Sequence, residues 1–288
     1  LIHYNKKCII EPYCGWVLNE NNEIIRRSMP YGISDITPLP HYIFYKKKKY
    51  LDLDKAISIH YNWFNYWHFL NDTIGQLNLL EKLKFDKNVP IIVPAKALTV
   101  PYVRDFFETN FSKKWNWIFQ EHDVYVRLNS VYICKSISNI KEHLIYAANI
   151  FNKGNSNSVD ADKKVFITRS SARGRDVLNI EELKPVILKY GFEIIECDRL
   201  SMPQQAELFS TSRIIMGIHG AGLTNMIFRY PNTCKIMEIF PPGYSPTHYY
   251  WLSRELGFSY SAIAGDNLSS NKSFYLTKEK LEIFLKTQ

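Results

Sequence analysis

His68 and Asp72 lie four residues apart in Asn65-Tyr66-Trp67-His68-Phe69-Leu70-Asn71-Asp72, a spacing that puts both on one helix face. A carboxylate beside an imidazole fixes its tautomer, and such a pair can take a proton from a hydroxyl. The same spacing also describes a helix-surface ion pair or a core histidine satisfied by a neighbouring carboxylate. Further along, Ile214-Ile215-Met216-Gly217-Ile218 runs into His219-Gly220-Ala221-Gly222-Leu223-Thr224-Asn225. A buried strand that feeds a glycine turn and a helix start collects free amides and the positive end of a helix dipole, which suits an anion. A glycine turn that merely packs a strand against a helix is the alternative. Arg169, Arg173 and Arg175 follow the strand-like Val165–Thr168. At the carboxyl end of a parallel strand, guanidinium groups point into the ligand crevice, where they can hold phosphate oxygens bidentately. Glu238 sits late in the apolar Ile236-Met237-Glu238-Ile239, where an unpaired carboxylate is costly to bury. It must accept hydrogen bonds there, from the ribose of a nucleotide or from an arginine in a buried salt bridge. His219 can donate to a phosphate or simply pack the turn, and Thr224 and Asn225 can add polar contacts in the first helical turn.

Asp52-Leu53-Asp54 and Asp160-Ala161-Asp162 have the spacing that holds a divalent cation on a diphosphate. Both are read as incidental, because Asp is common here and the first lies ahead of the N-terminal helix. No metal ligand is assigned.

Positioning these residues calls for alternating strands and helices. In the back half, strands are expected at Val165–Thr168, Glu193–Cys197, Arg213–Ile218, Lys235–Phe240 and Phe258–Ala264. Asn179 with Glu182, and Ser201 with Gln204, mark helix starts by the capping-box pattern, and Gly257 ends a helix over Thr247–Leu256. That alternation implies βαβ units and a parallel sheet. The front half is less regular. Strands are expected at Tyr42–Tyr45, Ala56–Ile59, Ile91–Val93, Trp115–Phe119 and Val131–Cys134, with helices over Asn65–Lys84, Pro101–Phe111 and Lys141–Phe151. The polar, glycine-bearing stretch from Asn152 to Ser158 reads as the linker, so the expected domains are residues 1–155 and 156–288.

The 288 residues are 46% hydrophobic, with 19 Tyr and 17 Phe, which excludes a disordered chain. A net charge of +8 suits an anionic partner such as a nucleotide diphosphate or an acidic surface. The run Lys46-Lys47-Lys48-Lys49 is the densest basic cluster, read as a solvated strand end, with a peripheral membrane contact as its alternative. The five cysteines are scattered, with no CxxC pair or metal spacing, and Cys134, Cys197 and Cys234 read as small buried hydrophobes. That favours a reducing compartment, hence a cytoplasmic, membrane-peripheral location. A dinucleotide-dependent oxidoreductase is disfavoured, since no GxGxxG opens the first βαβ unit. A nucleic-acid- or polyanion-binding module is disfavoured too, because the basic residues are spread without a binding motif.

The stretch from Val165 to Ala264 resembles the signature region of glycosyltransferase family 61. The residues that carry the likeness are Ile167-Thr168-Arg169 with Arg173 and Arg175, Asn179 with Glu181 and Glu182, and Gly191-Phe192-Glu193. Ser201-Met202-Pro203-Gln204-Gln205, His219-Gly220-Ala221-Gly222-Leu223-Thr224-Asn225 and Ile236-Met237-Glu238-Ile239 complete it, with a weaker match at Asn65–Asp72. The resemblance implies an α/β fold of the GT-B type, with two Rossmann-like domains facing across a cleft. It implies an inverting transfer of a sugar, xylose or N-acetylglucosamine, from a UDP-sugar to a glycan or glycoprotein hydroxyl; with both Asp-x-Asp pairs incidental, a metal-independent enzyme without a cofactor is expected, arginines and a helix dipole standing in for the cation. Asp72 is then the expected base, with His68 as its partner or replacement. The expected donor contacts are Arg169, Arg173, His219, Gly220, Ala221, Gly222, Thr224, Asn225 and Glu238. Trp63, Tyr66 and Trp67 are candidates for stacking on sugar faces, or core.

Overall fold

The computed structural model describes residues 1–29, 48–60, 62–135, 140–152, 162–169, 174–269 and 272–287. The chain divides into two compact units, Leu1–Ser138 and Asn139–Gln288.

The first unit is built on strands β1 (Ile2–Tyr4), β2 (Cys8–Ile10), β3 (Val17–Asn19), β4 (Lys49–Ser58), β5 (Ile91–Pro94), β6 (Trp117–Gln120) and β7 (Val124–Ile133). Among the described residues they form one seven-stranded sheet in the order β3-β2-β7-β4-β5-β6, with β1 also on β7. β7, β4, β5 and β6 run parallel, whereas β1, β2 and β3 add antiparallel strands. The sheet is therefore mixed. β4 and β7 each span ten residues, longer than the expected Ala56–Ile59 and Val131–Cys134. Their early halves carry Asp52, Asp54, Arg127 and Asn129 at exposed alternate positions, so hydrophobicity marks only the buried remainder. The expected strand at Tyr42–Tyr45 lies outside the described residues.

Helix α1 runs in three segments, Tyr66–His68, Phe69–Thr73 and Ile74–Lys82, of which the middle one is π-helical. Asn65 caps it by accepting the His68 amide at 3.3 Å. Phe69, Ile74, Leu77 and Leu80 are all fully buried, as their spacing requires. Helix α2 (Pro101–Phe107) stops short of the expected Phe111. Ser112 Oγ turns back onto the carbonyl of Phe107 (2.8 Å), the acceptor that the Phe111 amide would use in a continuing helix.

The second unit begins with α3 (Lys141–Phe151), which packs on α5 (Met202–Ser210) and on the 3-10 helix Ala221–Arg229. Phe151 meets Phe228 edge-on at 6.5 Å. That contact explains why the division falls at 138/139 rather than at 155/156: α3 is held by the helices of the second unit. Strands β8 (Lys163–Ile167), β9 (Phe192–Ile195), β10 (Ser212–Ile218), β11 (Lys235–Phe240) and β12 (Ser259–Ala264) form an all-parallel sheet in the order β12-β11-β10-β8-β9. α4 (Ile180–Lys189) and α7 (Lys278–Lys286) pack Leu183, Ile187, Leu281 and Phe284 against Phe166, Met216, Met237 and Ile239. α6 (His248–Leu256) ends at Gly257, which takes φ 77°. The capping box of Ser201 and Gln204 is formed. That of Asn179 is not, because its side chain instead clamps the backbone of Leu276, donating to its carbonyl at 3.0 Å and accepting its amide at 3.2 Å.

In the first unit His60 follows β4 in a site so tight that a Cβ on Gly15, whose φ is 71°, would collide with it. Burial lowers the His60 imidazole from 6.5 to about 4, against a smaller opposing influence of the Gln120 side chain. The unfolded chain therefore takes up a proton between these values that the folded protein refuses, so stability falls as pH drops from about 6.5 to 4. Urea unfolding should show a loss of roughly 3 kcal/mol over that window. His60→Gln should be flatter there by about that amount. Equal pH slopes in the two proteins would show that His60 is not the responsible group.

Candidate functional site

In the second unit, β8 sends the chain to β9 on one side and β10 returns on its other side. That makes the gap between the carboxyl ends of β8 and β10 a topological switch point, where open parallel sheets bind ligands. Arg169 leaves β8 there and the glycine turn leaves β10. The Arg169 guanidinium donates from Nε to the Gly174 carbonyl (2.6 Å) and from Nη1 to the His219 carbonyl (3.4 Å). A Cβ on Gly220 would collide with that guanidinium. Cβ atoms on Gly217 and Gly222 would press on Ile167 at 3.1 Å. The glycines thus serve packing first: they let the turn lie directly on the end of β8. The 3-10 helix starts immediately after, and its leading amides have no acceptor within the helix.

Glu238 is wholly buried on β11. Its Oε1 lies 2.5 Å from His219 Nδ1, and its Oε2 accepts the Tyr260 hydroxyl at 2.5 Å. The partners are thus a histidine and a tyrosine rather than the arginine considered above. Burial, followed by the neighbouring Glu238 charge, pushes the Tyr260 hydroxyl well above its ordinary value, and the same two causes raise Tyr249. The His219 ring stacks on Phe240 (centroids 5.3 Å apart) and meets Tyr244 edge-on (5.6 Å) and Tyr249 at a tilt (5.5 Å). Lys272 and Arg175 lie over the Tyr244 ring at 4.0 and 5.9 Å.

Ala221 is half-buried at the start of the 3-10 helix, and Thr224 and Asn225 are buried within it. Asn225 donates to Gln205 Oε1 at 2.8 Å, tying the helix to α5. Arg173 lies outside the described residues. Arg169, Gly220–Asn225, His219 and Glu238 therefore form one group at the carboxyl edge of the sheet.

His68 and Asp72 form the other group, in the first unit. Asp72 Oδ2 lies 2.7 Å from His68 Nδ1 and accepts Asn62 Nδ2 at 2.9 Å. The carboxylate is buried (side chain 7% exposed), and the imidazole is the more open partner at 31%. Asp72 belongs to the π-helical turn, a distortion frequent at functional sites. Trp63 is core, with 0% exposure and packed among Phe69, Phe106, Phe107 and Trp117. Tyr66 and Trp67 are half-buried.

Asp52 is held by Arg127 through two bonds of 2.6 and 2.7 Å, and Asp54 accepts Asn129 at 3.1 Å, both across β4 and β7. Asp162 pairs with Arg213, and Asp160 is outside the described residues. Among the described residues no cluster of His, Cys, Asp and Glu has the make-up of a metal site, and no helix is long and apolar enough to cross a membrane. Of the lysine run, Lys49 pairs with Asp123 at 2.7 Å and Lys48 lies over Tyr125 at 4.8 Å; Lys46 and Lys47 are outside the described residues.

Residues 66–236, more than half of the chain, match the family model described as Glycosyltransferase 61. This chain belongs to glycosyltransferase family 61. It is also 33% identical over 75 residues to a beta-1,2-xylosyltransferase, XAX1, of Oryza sativa subsp. japonica; the match covers 26% of this chain and 13% of that relative's length. Among solved structures, E. coli heptosyltransferase WaaC with ADP aligns with a TM-score of 0.40 at 7% identity, covering 82% of this chain and 97% of that one.

Tyr260, Tyr244 and Asn62 escaped the sequence reading. Tyr260 reaches Glu238 diagonally from the next strand, because Ile236 is its register partner, and that pairing emerges only when β11 and β12 are aligned. A Gly220→Ala variant tests the turn. Its methyl group must displace Arg169 Nη1 from the His219 carbonyl, and losing that bond should cost about 0.5–1.5 kcal/mol, read by urea unfolding. Wild-type stability with the two Arg169 contacts intact in a crystal structure would show that the turn has slack.

Proposed function

We propose that this protein is an inverting, metal-independent glycosyltransferase that moves a sugar from a UDP-sugar to a hydroxyl of a glycan or glycoprotein. Xylose and N-acetylglucosamine are the first donors to try, and the rice xylosyltransferase match favours xylose as the opening trial. The observation that carries the reading is the convergence of Arg169, the glycine turn and His219 at the switch point of an all-parallel sheet. Arg169 and the leading amides of the 3-10 helix would neutralise the diphosphate as the bond between the sugar's anomeric carbon and the phosphate oxygen breaks. The engagement of Asp52 and Asp54 in cross-strand bonds supports leaving a cation out. The net positive charge fits a cytoplasmic enzyme at an anionic membrane surface.

The first unit would supply the base. Asp72 was the expected proton acceptor, but its burial behind a more open imidazole favours the reverse assignment. His68 takes the acceptor proton, and Asp72 holds Nδ1–H and stabilises the imidazolium that forms. The acceptor oxygen then bonds to the anomeric carbon from the face opposite the departing UDP, which inverts that centre.

UDP should raise the melting temperature, and EDTA should leave transfer unchanged. Activity lost in EDTA and restored by manganese would refute the metal-free reading. Arg169→Ala should weaken UDP binding roughly ten- to hundredfold by calorimetry; wild-type affinity would remove Arg169 from the donor site.

His68→Ala and Asp72→Asn should each lower turnover by roughly 10²–10⁴-fold with UDP affinity near wild type. The double variant should lose little more than either single one, because the pair acts as a unit. Full activity in both folded single variants would make the pair structural.

A further inference from the structure

Beneath α4 and α7 the sheet of the second unit presents Phe166, Met216 and Met237 to the core. Two residues nearer the amino edge, and so on the same face, Phe192, Lys164, Ile214, Lys235 and Ser259 are register partners on five adjacent strands. With Tyr190 and Leu285 this row lines a cavity of about 410 Å³, a size that suits a small molecule. A sheet row beside two packed helices is ordinarily apolar, yet this one holds two half-buried lysines. They stand two strand spacings apart, about 9–10 Å, with Ile214 between them. Lys164 Nζ donates to the Tyr190 carbonyl at 3.3 Å, an acceptor that brings no negative charge. Arg213 joins them through an irregularity of β10. Ser212 pairs with Lys163 and Ile214 with Lys164, so Arg213 is one residue too many for the register with β8, and a bulge of this kind re-aims its side chain. Its Nε pairs with Asp162, and a guanidinium has further N–H donors. Three cations and no acidic residue line the cavity.

We infer that this cavity is an anion site, separate from the group at the carboxyl edge, for a phosphate borne on a partly apolar molecule. Like charges on one sheet face repel, and an anion seated over Ile214 between the two lysines turns that repulsion into attraction. A phosphomonoester brings about two negative charges and three acceptor oxygens, a match to three cations that a single carboxylate does not make. Arg213 offers those oxygens a planar fork, and the lysines act as point charges. Phe192, Met237 and Leu285 supply a wall for the apolar part. The site lies at the edge of the sheet opposite Arg169 and the glycine turn, so it does not depend on where a nucleotide binds. The same chemistry is carried by a soluble phosphomonoester and by the headgroup of phosphatidic acid in a membrane.

Methyl NMR of the protein labelled at Ile and Met reads the cavity itself, through Ile214 and Met237. Phenyl phosphate should shift both signals saturably. Inorganic phosphate should do so with lower affinity, because it leaves the apolar wall unused. Lys164→Gln and Lys235→Gln should each weaken phenyl phosphate by roughly tenfold, the low end for a charge-assisted bond, since both groups are only half-buried. Melting temperatures check that the variants fold; should Lys164→Gln fail with its Tyr190 bond, Lys235→Gln carries the test. Arg169→Ala should leave the shifts as they are. Vesicle sedimentation then identifies the source. Wild type that sediments with phosphatidylcholine vesicles only when they contain phosphatidic acid, an effect lost in the lysine variants, takes a lipid headgroup. Phenyl phosphate binding without such sedimentation points to a soluble ligand. Silent Ile214 and Met237 signals in wild type overturn the inference, as do shifts that survive both lysine substitutions or vanish in Arg169→Ala. Equal affinity for phenyl phosphate and inorganic phosphate overturns it as well.

Discussion

Burying a carboxylate with no exposed surface costs several kcal/mol unless its oxygens find donors. Glu238 meets that demand by joining three consecutive strands: His219 leaves β10, Glu238 lies on β11 and Tyr260 on β12. The bonds fix where the chain leaves β10, and so where the glycine turn begins. They also set the plane of the His219 ring, against which Phe240 and Tyr244 pack. Breaking the cluster would free the turn and leave a charge stranded under the sheet's edge.

The other side of the turn is fixed by β8. Ile167 fills the space that side chains at positions 217 and 222 would need, and Arg169 fills that at 220. One strand end thus dictates all of these glycines. A turn with open leading amides and a close-packed turn are therefore the same object here. Close packing brings the guanidinium beside the backbone, and that proximity gives the site its positive character.

Much of this was legible in the sequence where one interaction is local. Ser201 and Gln204 announce a helix start because both bonds close within four residues. Lys235–Phe240 is an uninterrupted buried strand, and its apolar run shows it. Asn179 has the same local signature as Ser201, but a distant backbone at Leu276 outcompetes the helix for its side chain. The exposed half of β4 reads as polar loop, since cross-strand partners such as Arg127 for Asp52 are far apart in the chain. A polar stretch such as Asn152–Ser158 marks a break in sequence, while α3 joins its unit through Phe151 and Phe228, a contact between residues far apart in the chain. Residue types and spacing drew attention to His68 and Asp72 in the first unit and to Arg169, His219 and Glu238 in the second. The partners that orient them, Asn62 and Tyr260, come from other elements and left no periodic trace.

The π-helical turn of α1 has a consequence for how this chain tolerates change in length. Ile74 donates to Phe69, five residues back, so this stretch carries one residue more than an α-helix would. The wide turn absorbs that surplus, so Phe69, five residues ahead of Ile74, still faces the core with Ile74, Leu77 and Leu80. Deleting any single residue between Phe69 and Thr73 would let the helix close into regular α form without a break. Phe69 would then stand four residues from Ile74 and keep its side of the helix, so the segments before and after the turn would hold their phase. In this stretch a one-residue change of length is therefore taken up where it occurs and is not passed along the helix.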